Sequence, residues 1–318
     1  MEKLLSESED LESLPGVGPA TAEKLREAGY LNLESVAVAT PQEVVAVTGL
    51  GDTIAAKIIQ AARKSLDLGF KSAEEVLKDR QNTKKIATGS KNIDNILGGG
   101  IETSAMIEFF GEFRTGKTQL CHMCTVTAQL PEEEGGIEAK AVYIDSEGTF
   151  RPERIISMAQ RVGKDPQEIM KGIYVARAFN TDHQIALADK AAKMAKEKNI
   201  RLLVIDSLTS HFRAEYVGRE SLASRQQMLN KHLHQLLRFA EINNAAVIVA
   251  NQVMARPDAF FGDPTIAVGG HVMAHAATTR VYLRKGKGEL RVARIFDSPC
   301  LPESETTFKI AEGGIIDP

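Results

Sequence analysis

Cysteine is scarce in this chain: Cys121, Cys124 and Cys300 are the only three in 318 residues. That number excludes a disulfide framework. Cys121 and Cys124 form a C-x-x-C pair inside an expected helix, with no second ligand pair, so they read as buried helix-face residues rather than a zinc or redox site. Long apolar runs are also missing, and none is expected to span a membrane. Residues 1–10 are acidic and lack the apolar core of a signal peptide. An intracellular, cytoplasmic protein is expected. Neither sign of charge is in large excess, the formal net charge being −3. Any nucleic-acid site must then be a local patch rather than a property of the whole surface. The length suits about two domains.

What the chain does have is Gly111–Thr118, GEFRTGKT, which fits the phosphate-binding pattern G-x-x-x-x-G-K-[ST]. Gly111 and Gly116 let the backbone curl so that its N–H groups point at phosphate oxygens. Glu112, Phe113, Arg114 and Thr115 form the body of the loop. Lys117 brings positive charge to the β- and γ-phosphates, and the Thr118 hydroxyl is a hard oxygen ligand for Mg²⁺. The context agrees: residues 104–110 read as a buried strand and 118–126 as a helix whose N-terminus favours anions. ATP with Mg²⁺ is the expected ligand, with Gln119 adjoining it.

Before this loop, Leu14–Leu25 and Val47–Ile58 each place a Gly-x-Gly turn ahead of an Ala-rich helix. The pair reads as two helix-hairpin-helix units, whose turns hold a nucleic-acid backbone phosphate without reading sequence. A compact helical domain with tight turns, or a protein-docking surface, fits the same letters. After the loop, apolar strands at 141–145, 173–178, 202–206 and 246–251 alternate with helices at 152–159, 183–196 and 224–243. The fold class is α/β, a mostly parallel sheet covered by helices on both faces. Segments 279–284, 291–296 and 306–310 alternate more and are expected as antiparallel strands extending it. The expected division is a helical domain at 1–65, a linker at 66–83 and an ATPase core at 84–318.

The strand at 202–206 ends in Asp206, placed for the Mg²⁺ side of the site near Thr118. Glu147 follows the strand ending at Asp145 and can polarise an attacking water. A surface acid beside Arg151 and Arg154 is the competing reading. Gln252 follows the strand ending at Asn251, where its amide can hydrogen-bond a γ-phosphate. Glu147, Lys117 and Gln252 are the catalytic candidates. Two loops are expected over the same edge. Residues 211–224 carry Arg213 and Arg219, with Arg225 just beyond. Residues 253–274 carry Arg256, Phe260, Phe261, Gly269 and Gly270. Arginine with glycine and some aromatics suits a single-stranded DNA groove, while an active-site lid fits as well.

Taken together, Leu14–Pro19, Gly111–Thr118, Tyr143–Arg154, Ala176–Asp182, Gly269–Ala276, Arg284–Gly288 and Asp297–Pro302 carry a resemblance over nearly the full length. The chain resembles the archaeal RadA recombinases, their eukaryotic counterpart and, further off, bacterial RecA. That resemblance implies a RecA-like core, DNA-dependent ATP hydrolysis, and homologous pairing and strand exchange in recombinational repair. It implies single- and double-stranded DNA, further copies of the chain in a filament or ring, and mediator proteins as partners. It places the protein in the cytoplasm of an archaeal-type cell, or the nucleus of a eukaryotic one. Phe70 and Ala73 become an F-x-x-A segment that adds a strand to a neighbouring subunit. The two loops become DNA-binding loops. Arg154 and the Asp297 to Pro302 stretch cover the adenine, the latter from the next subunit, and His275 senses the γ-phosphate across the interface. Ser146 stands where the family has Thr, a departure expected to matter little. A regulatory paralogue that exchanges no strands, and a DNA-binding scaffold with a vestigial ATPase, are the competing classes.

Overall fold

The computed structural model describes residues 11–30, 32–66, 69–218, 220–255 and 265–318. They fall into two compact units that divide between Asn82 and Thr83.

The first unit is helical: α1 (Pro19–Glu27), α2 (Leu33–Ala37), α3 (Pro41–Thr48), α4 (Asp52–Ser65) and α5 (Ala73–Arg80). Local chemistry sets their starts. Thr40 accepts from the Glu43 backbone N–H while the Glu43 carboxylate accepts from Thr40 N–H, with Pro41 in the first turn. Such a cap is worth about 1 kcal/mol. The two Gly-x-Gly turns have the same geometry. Gly16 and Gly49 adopt positive φ (87° and 72°), and Gly18 and Gly51 cap the helices that follow. In α4, Ala55, Ile58, Ile59 and Ala62 are all buried, a spacing that puts them on one face. Each fully buried Ile contributes about 1.5–3 kcal/mol. By contrast α5 buries nothing. Phe70, just before it, is fully exposed.

The second unit opens with α6 (Lys91–Ile96) between the short paired strands β1 (Lys85–Ile86) and β2 (Ile101–Glu102). Then come β3 (Ala105–Gly111), α7 (Lys117–Thr127), β4 (Lys140–Asp145), α8 (Pro152–Arg161), α9 (Pro166–Lys171), β5 (Ile173–Arg177), α10 (Thr181–Lys198), β6 (Ile200–Asp206), α11 (Ser210–Glu215), α12 (Leu222–Ile242) and β7 (Ala246–Asn251). A small hairpin, β8 (Val253–Ala255) and β9 (Thr265–Ala267), leads to α13 (Gly270–Ala276). The chain ends with β10 (Thr279–Lys285), β11 (Leu290–Asp297), β12 (Glu305–Ala311) and β13 (Gly314–Ile316).

Nine strands form one sheet in the order β13-β12-β11-β10-β3-β7-β6-β4-β5. From β10 to β5 all neighbours run parallel, and β11, β12 and β13 extend the sheet antiparallel. The strands are apolar on both faces because helices cover both. Ile107, Phe109, Tyr143, Val204 and Ile248 join the core under α7 and α8. Their neighbours Met106, Ile144, Ile205 and Val249 join the core under α10 and α12. The sequence alternation thus reads out as two cores, one per face. Cys121 and Cys124 are fully buried in the first of them. Among the described residues no single helix is long and apolar enough to cross a membrane.

Candidate functional site

The sheet order brings four chain-distant segments together. β3, β7, β6 and β4 are consecutive, and their carboxyl ends are level: Phe110 pairs with Asn251, and Asp206 pairs with both Ala250 and Asp145. Open α/β sheets bind ligands outside such ends. The expected phosphate loop follows β3, Glu147 follows β4, Asp206 ends β6 and Gln252 follows β7.

The loop needs its glycines for space. A Cβ on Gly111 would lie 2.1 Å from the Leu283 carbonyl oxygen. Gly116 has φ +110° and caps α7. Lys117 Nζ donates back to the carbonyls of Gly111 (2.8 Å) and Glu112 (2.7 Å), and Thr115 Oγ1 donates to Glu112 O (2.8 Å). The loop is therefore pre-shaped by its own side chains. Burial pulls the Lys117 ammonium below its usual range, and the Asp206 and Glu147 carboxylates push it back.

Thr118 Oγ1 donates to Asp206 Oδ2 at 2.7 Å, and Tyr143 Oη donates to the same oxygen at 2.7 Å. Burial pushes the Asp206 carboxyl up, while these two hydrogen bonds pull it back. A hydroxyl and a carboxylate touching beside a lysine are the hard oxygen donors Mg²⁺ takes, so the residues fit the expected ion.

Glu147 stands in a loop that Asp145 builds. Asp145 Oδ1 accepts from the backbone N–H groups of Glu147, Gly148 and Thr149 (3.0, 2.6 and 3.2 Å), and Oδ2 accepts from that of Phe150 (3.0 Å). His122 ties the same loop to α7. Its Nδ1 lies 2.6 Å from the Thr118 carbonyl and must carry the proton. Its Nε2 then accepts from the Arg151 N–H at 3.1 Å. Burial lowers the His122 pKa, which favours this neutral form. Ser146, expected to matter little, proves to be engaged. Its hydroxyl bonds Ser207 N and O (2.7 Å each) and receives Ser210 Oγ at 2.9 Å. It laces the end of β4 to the end of β6, and a Ser hydroxyl does this as well as a Thr hydroxyl.

Gln252 Nε2 donates to Glu147 Oε1 at 2.8 Å. Two of the three catalytic candidates are thus in direct contact, although they come from separate strand ends. Gln119 and Arg154 also meet: Arg154 Nε donates to Gln119 Oε1 at 2.9 Å, and its Nη atoms to the carbonyls of Glu312 and Ala311.

Other expected residues lie elsewhere. Asp297 ends β11, and Pro302 sits in the turn to β12. His275 lies in α13 and lines a cleft of about 500 Å³ shared with Gln226, Gln227, Asn230 and His234 of α12; the phosphate loop is not among its walls. The two expected loops are corrected. Arg213 lies on α11 and Arg225 in the first turn of α12, so the expected loop is helical towards both of its ends. Phe212, buried against His232 at 6.1 Å between ring centroids, anchors that helical turn. In the second stretch Gly269 (φ +102°) caps α13, and Gly270 is its first residue. Met273 packs into the core beneath it. Tertiary burial made helices of segments whose glycines and arginines suggested loops. Arg219, Arg256, Phe260 and Phe261 lie outside the described residues.

Sequence reasoning missed Tyr143, His122 and Asp145 as site residues. Asp145 had a signal: a strand-end Asp followed by Ser-Glu-Gly suits a carboxylate that accepts from the next backbone N–H groups. Tyr143 and His122 are visible only once strand and helix are packed.

Comparison with known proteins agrees with this architecture. Residues 79–318 match the Rad51 family model. Residues 8–64 match the SAM-like helix-hairpin-helix tandem. The DNA repair and recombination protein RadA of Aeropyrum pernix is 59% identical over 312 residues, 98% of each chain. The protein of the same name from Ignicoccus hospitalis is 57% identical over 310 residues, 96% of this chain and 94% of its own. A family match over the whole second unit, joined to relatives of this identity along nearly the full length, means that the chain belongs to the Rad51 family.

Proposed function

We propose that the protein is an ATP-dependent DNA recombinase, one that assembles on single-stranded DNA and pairs it with a homologous duplex inside the cell. The observation that carries this reading is the convergence of Lys117, the Thr118–Asp206 pair and the Glu147–Gln252 pair at four adjacent strand ends, in a chain of the Rad51 family.

In this reading Gly111–Thr118 and Gln119 hold the nucleotide, and Thr118 and Asp206 hold Mg²⁺. The bound ion neutralises phosphate charge. Lys117, now on the loop carbonyls, turns its charge to the phosphates. Glu147 accepts the proton of the attacking water, held in place by the Asp145 cradle. Arg154 covers the adenine with the face of a guanidinium already fixed by Gln119. The Asp297 to Pro302 stretch and His275 act on the nucleotide of a neighbouring copy. Arg213, Arg219, Arg225, Arg256 and the Gly269–Gly270 turn face DNA, and the helical hairpins add contacts to backbone phosphate.

Residues 66–83 act as the linker between helical domain and core. Within it Phe70 and Ala73 join subunits. Support comes from Phe70, a large aromatic standing fully in solvent, and from β5, the outermost strand of the sheet among the described residues, whose Val175 is exposed, as is Phe179 just beyond it. Such an edge is a template for a strand from another chain.

The direct test is ATP hydrolysis with and without single-stranded DNA, alongside sizing. Stimulated hydrolysis by an assembling protein is expected. Nucleotide binding without hydrolysis would favour a regulatory paralogue. DNA binding without nucleotide binding would favour a scaffold.

A further inference from the structure

Asn251, the residue before Gln252, has no exposed surface, and its amide is saturated. Oδ1 accepts from the Thr209 hydroxyl (2.7 Å) and from the Gln252 backbone N–H (2.9 Å). Nδ2 donates to Glu108 Oε1 (2.6 Å) and to the Val268 carbonyl (2.6 Å). A side-chain amide has two donors and two acceptor lone pairs, and all are used. The flipped amide is excluded, since it would face an N–H with an NH₂ and a carboxylate with an oxygen. Glu108, equally buried, is held on its other oxygen by Arg280 Nε at 2.6 Å. The Arg280 guanidinium lies 5.0 and 5.3 Å from the ring centroids of Phe110 and Phe296.

The four partners come from four segments. Thr209 caps α11, which carries Arg213. Val268 lies where the second stretch returns from β9 to Gly269, and its N–H donates to the Gln252 carbonyl at 3.0 Å. Gln252 holds Glu147. Glu108 belongs to β3, just ahead of Gly111.

We propose that Asn251 is a positioning residue, whose amide fixes Gln252 against Glu147 and ties both DNA-facing segments to that contact. The inference rests on the reading of function above. The Glu108–Arg280 pair holds the amide from the core side, so Asn251 cannot follow one segment without breaking a bond to another. Leaving a buried partner unmade is costly, and buried networks of this kind act as units. Movement of the α11 cap or of the Val268 return therefore reaches the catalytic pair through one side chain.

The test is Thr209→Val, which keeps the side-chain shape and removes the donor, with Thr209→Ser as the conservative restoration. For each, kcat and KM for ATP are measured with and without single-stranded DNA, together with the melting temperature. In Thr209→Val the DNA-stimulated kcat should fall about tenfold, the size of one buried hydrogen bond. The DNA-free kcat and KM should stay at the wild-type values, and Thr209→Ser should regain the stimulation. Full stimulation in Thr209→Val overturns the proposal. So does a loss shared equally by the DNA-free and stimulated rates, the mark of a merely structural bond. Should Thr209→Val melt too low to assay, Asn251→Asp takes its place. That variant keeps Oδ1 but sets oxygen against Glu108 and Val268, and it must lose stimulation while still binding ATP. A wild-type protein that hydrolyses ATP without responding to DNA would instead sink the functional reading, and the proposal with it.

Discussion

Gln252 Nε2 lies 2.8 Å from Glu147 Oε1, although their strands β7 and β4 are separated by β6. The contact therefore bridges roughly 10 Å of sheet, two strand spacings, over the end of the strand that carries Asp206. An amide that holds the proposed general base is placed to release it when another acceptor arrives. A γ-phosphate is such an acceptor, present in ATP and absent in ADP. A ligand shifts an equilibrium only through contacts that differ between two states, and in the proposed function this pair supplies one.

Gln252→Ala should therefore weaken coupling more than binding. Coupling is reciprocal, so the factor by which DNA tightens a non-hydrolysable ATP analogue should shrink together with the factor by which the analogue tightens DNA. Two titrations measure both. Wild-type coupling in the variant would move the switch elsewhere, with His275 the next candidate.

Glu147→Gln removes the proposed base and keeps the shape. ATP and DNA binding should persist while turnover falls by about 10²–10⁴-fold, and assemblies on DNA should last longer. Steady-state hydrolysis and a dissociation time course decide it. Hydrolysis at the wild-type rate would place the base elsewhere.

Lys117→Ala leaves the carbonyls of Gly111 and Glu112 without their donor and, in the proposed function, the phosphates without their cation. Nucleotide-dependent DNA pairing should vanish. Normal nucleotide affinity with normal turnover would show that the nucleotide binds at another place.

Phe70→Glu should yield monomers or small species by light scattering. Burying an unpaired carboxylate in an apolar pocket costs several kcal/mol, against about 1.5–3 kcal/mol gained from burying the aromatic. Normal assembly of the variant would rule out Phe70 as the contact between copies.

His232 predicts a pH dependence of stability. It is buried, and burial lowers its pKa from 6.5 to about 4. The unfolded chain binds the proton first, so stability declines as pH falls from about 6.5 to about 4 and the contribution is flat below that. The loss is about 3 kcal/mol at most. Chemical denaturation across this range should show a shallower slope for His232→Gln than for wild type. Equal slopes would assign the acid sensitivity to other groups.

The phosphate loop was legible because its chemistry demands particular residues at fixed spacing, and the parallel sheet because its strands are apolar on both faces. Asp206 and Glu147 followed from strand ends. The Asn251 junction was not legible, since Glu108, Thr209 and Val268 converge on it only after β3, β6 and β7 are aligned. The helices α11 and α13 were hidden for a related reason. Buried Phe212 and Met273 decide their conformation, and burial is a property of the packed chain rather than of the local letters.

The measurement closest to the central claim is a strand-pairing assay between labelled single-stranded DNA and a homologous duplex, run with ATP, with a non-hydrolysable analogue, with ADP and without nucleotide. Pairing is expected with ATP and with the analogue, and none with ADP or without nucleotide. Pairing that ignores the nucleotide, or none at all from protein that binds both ATP and DNA, would contradict it.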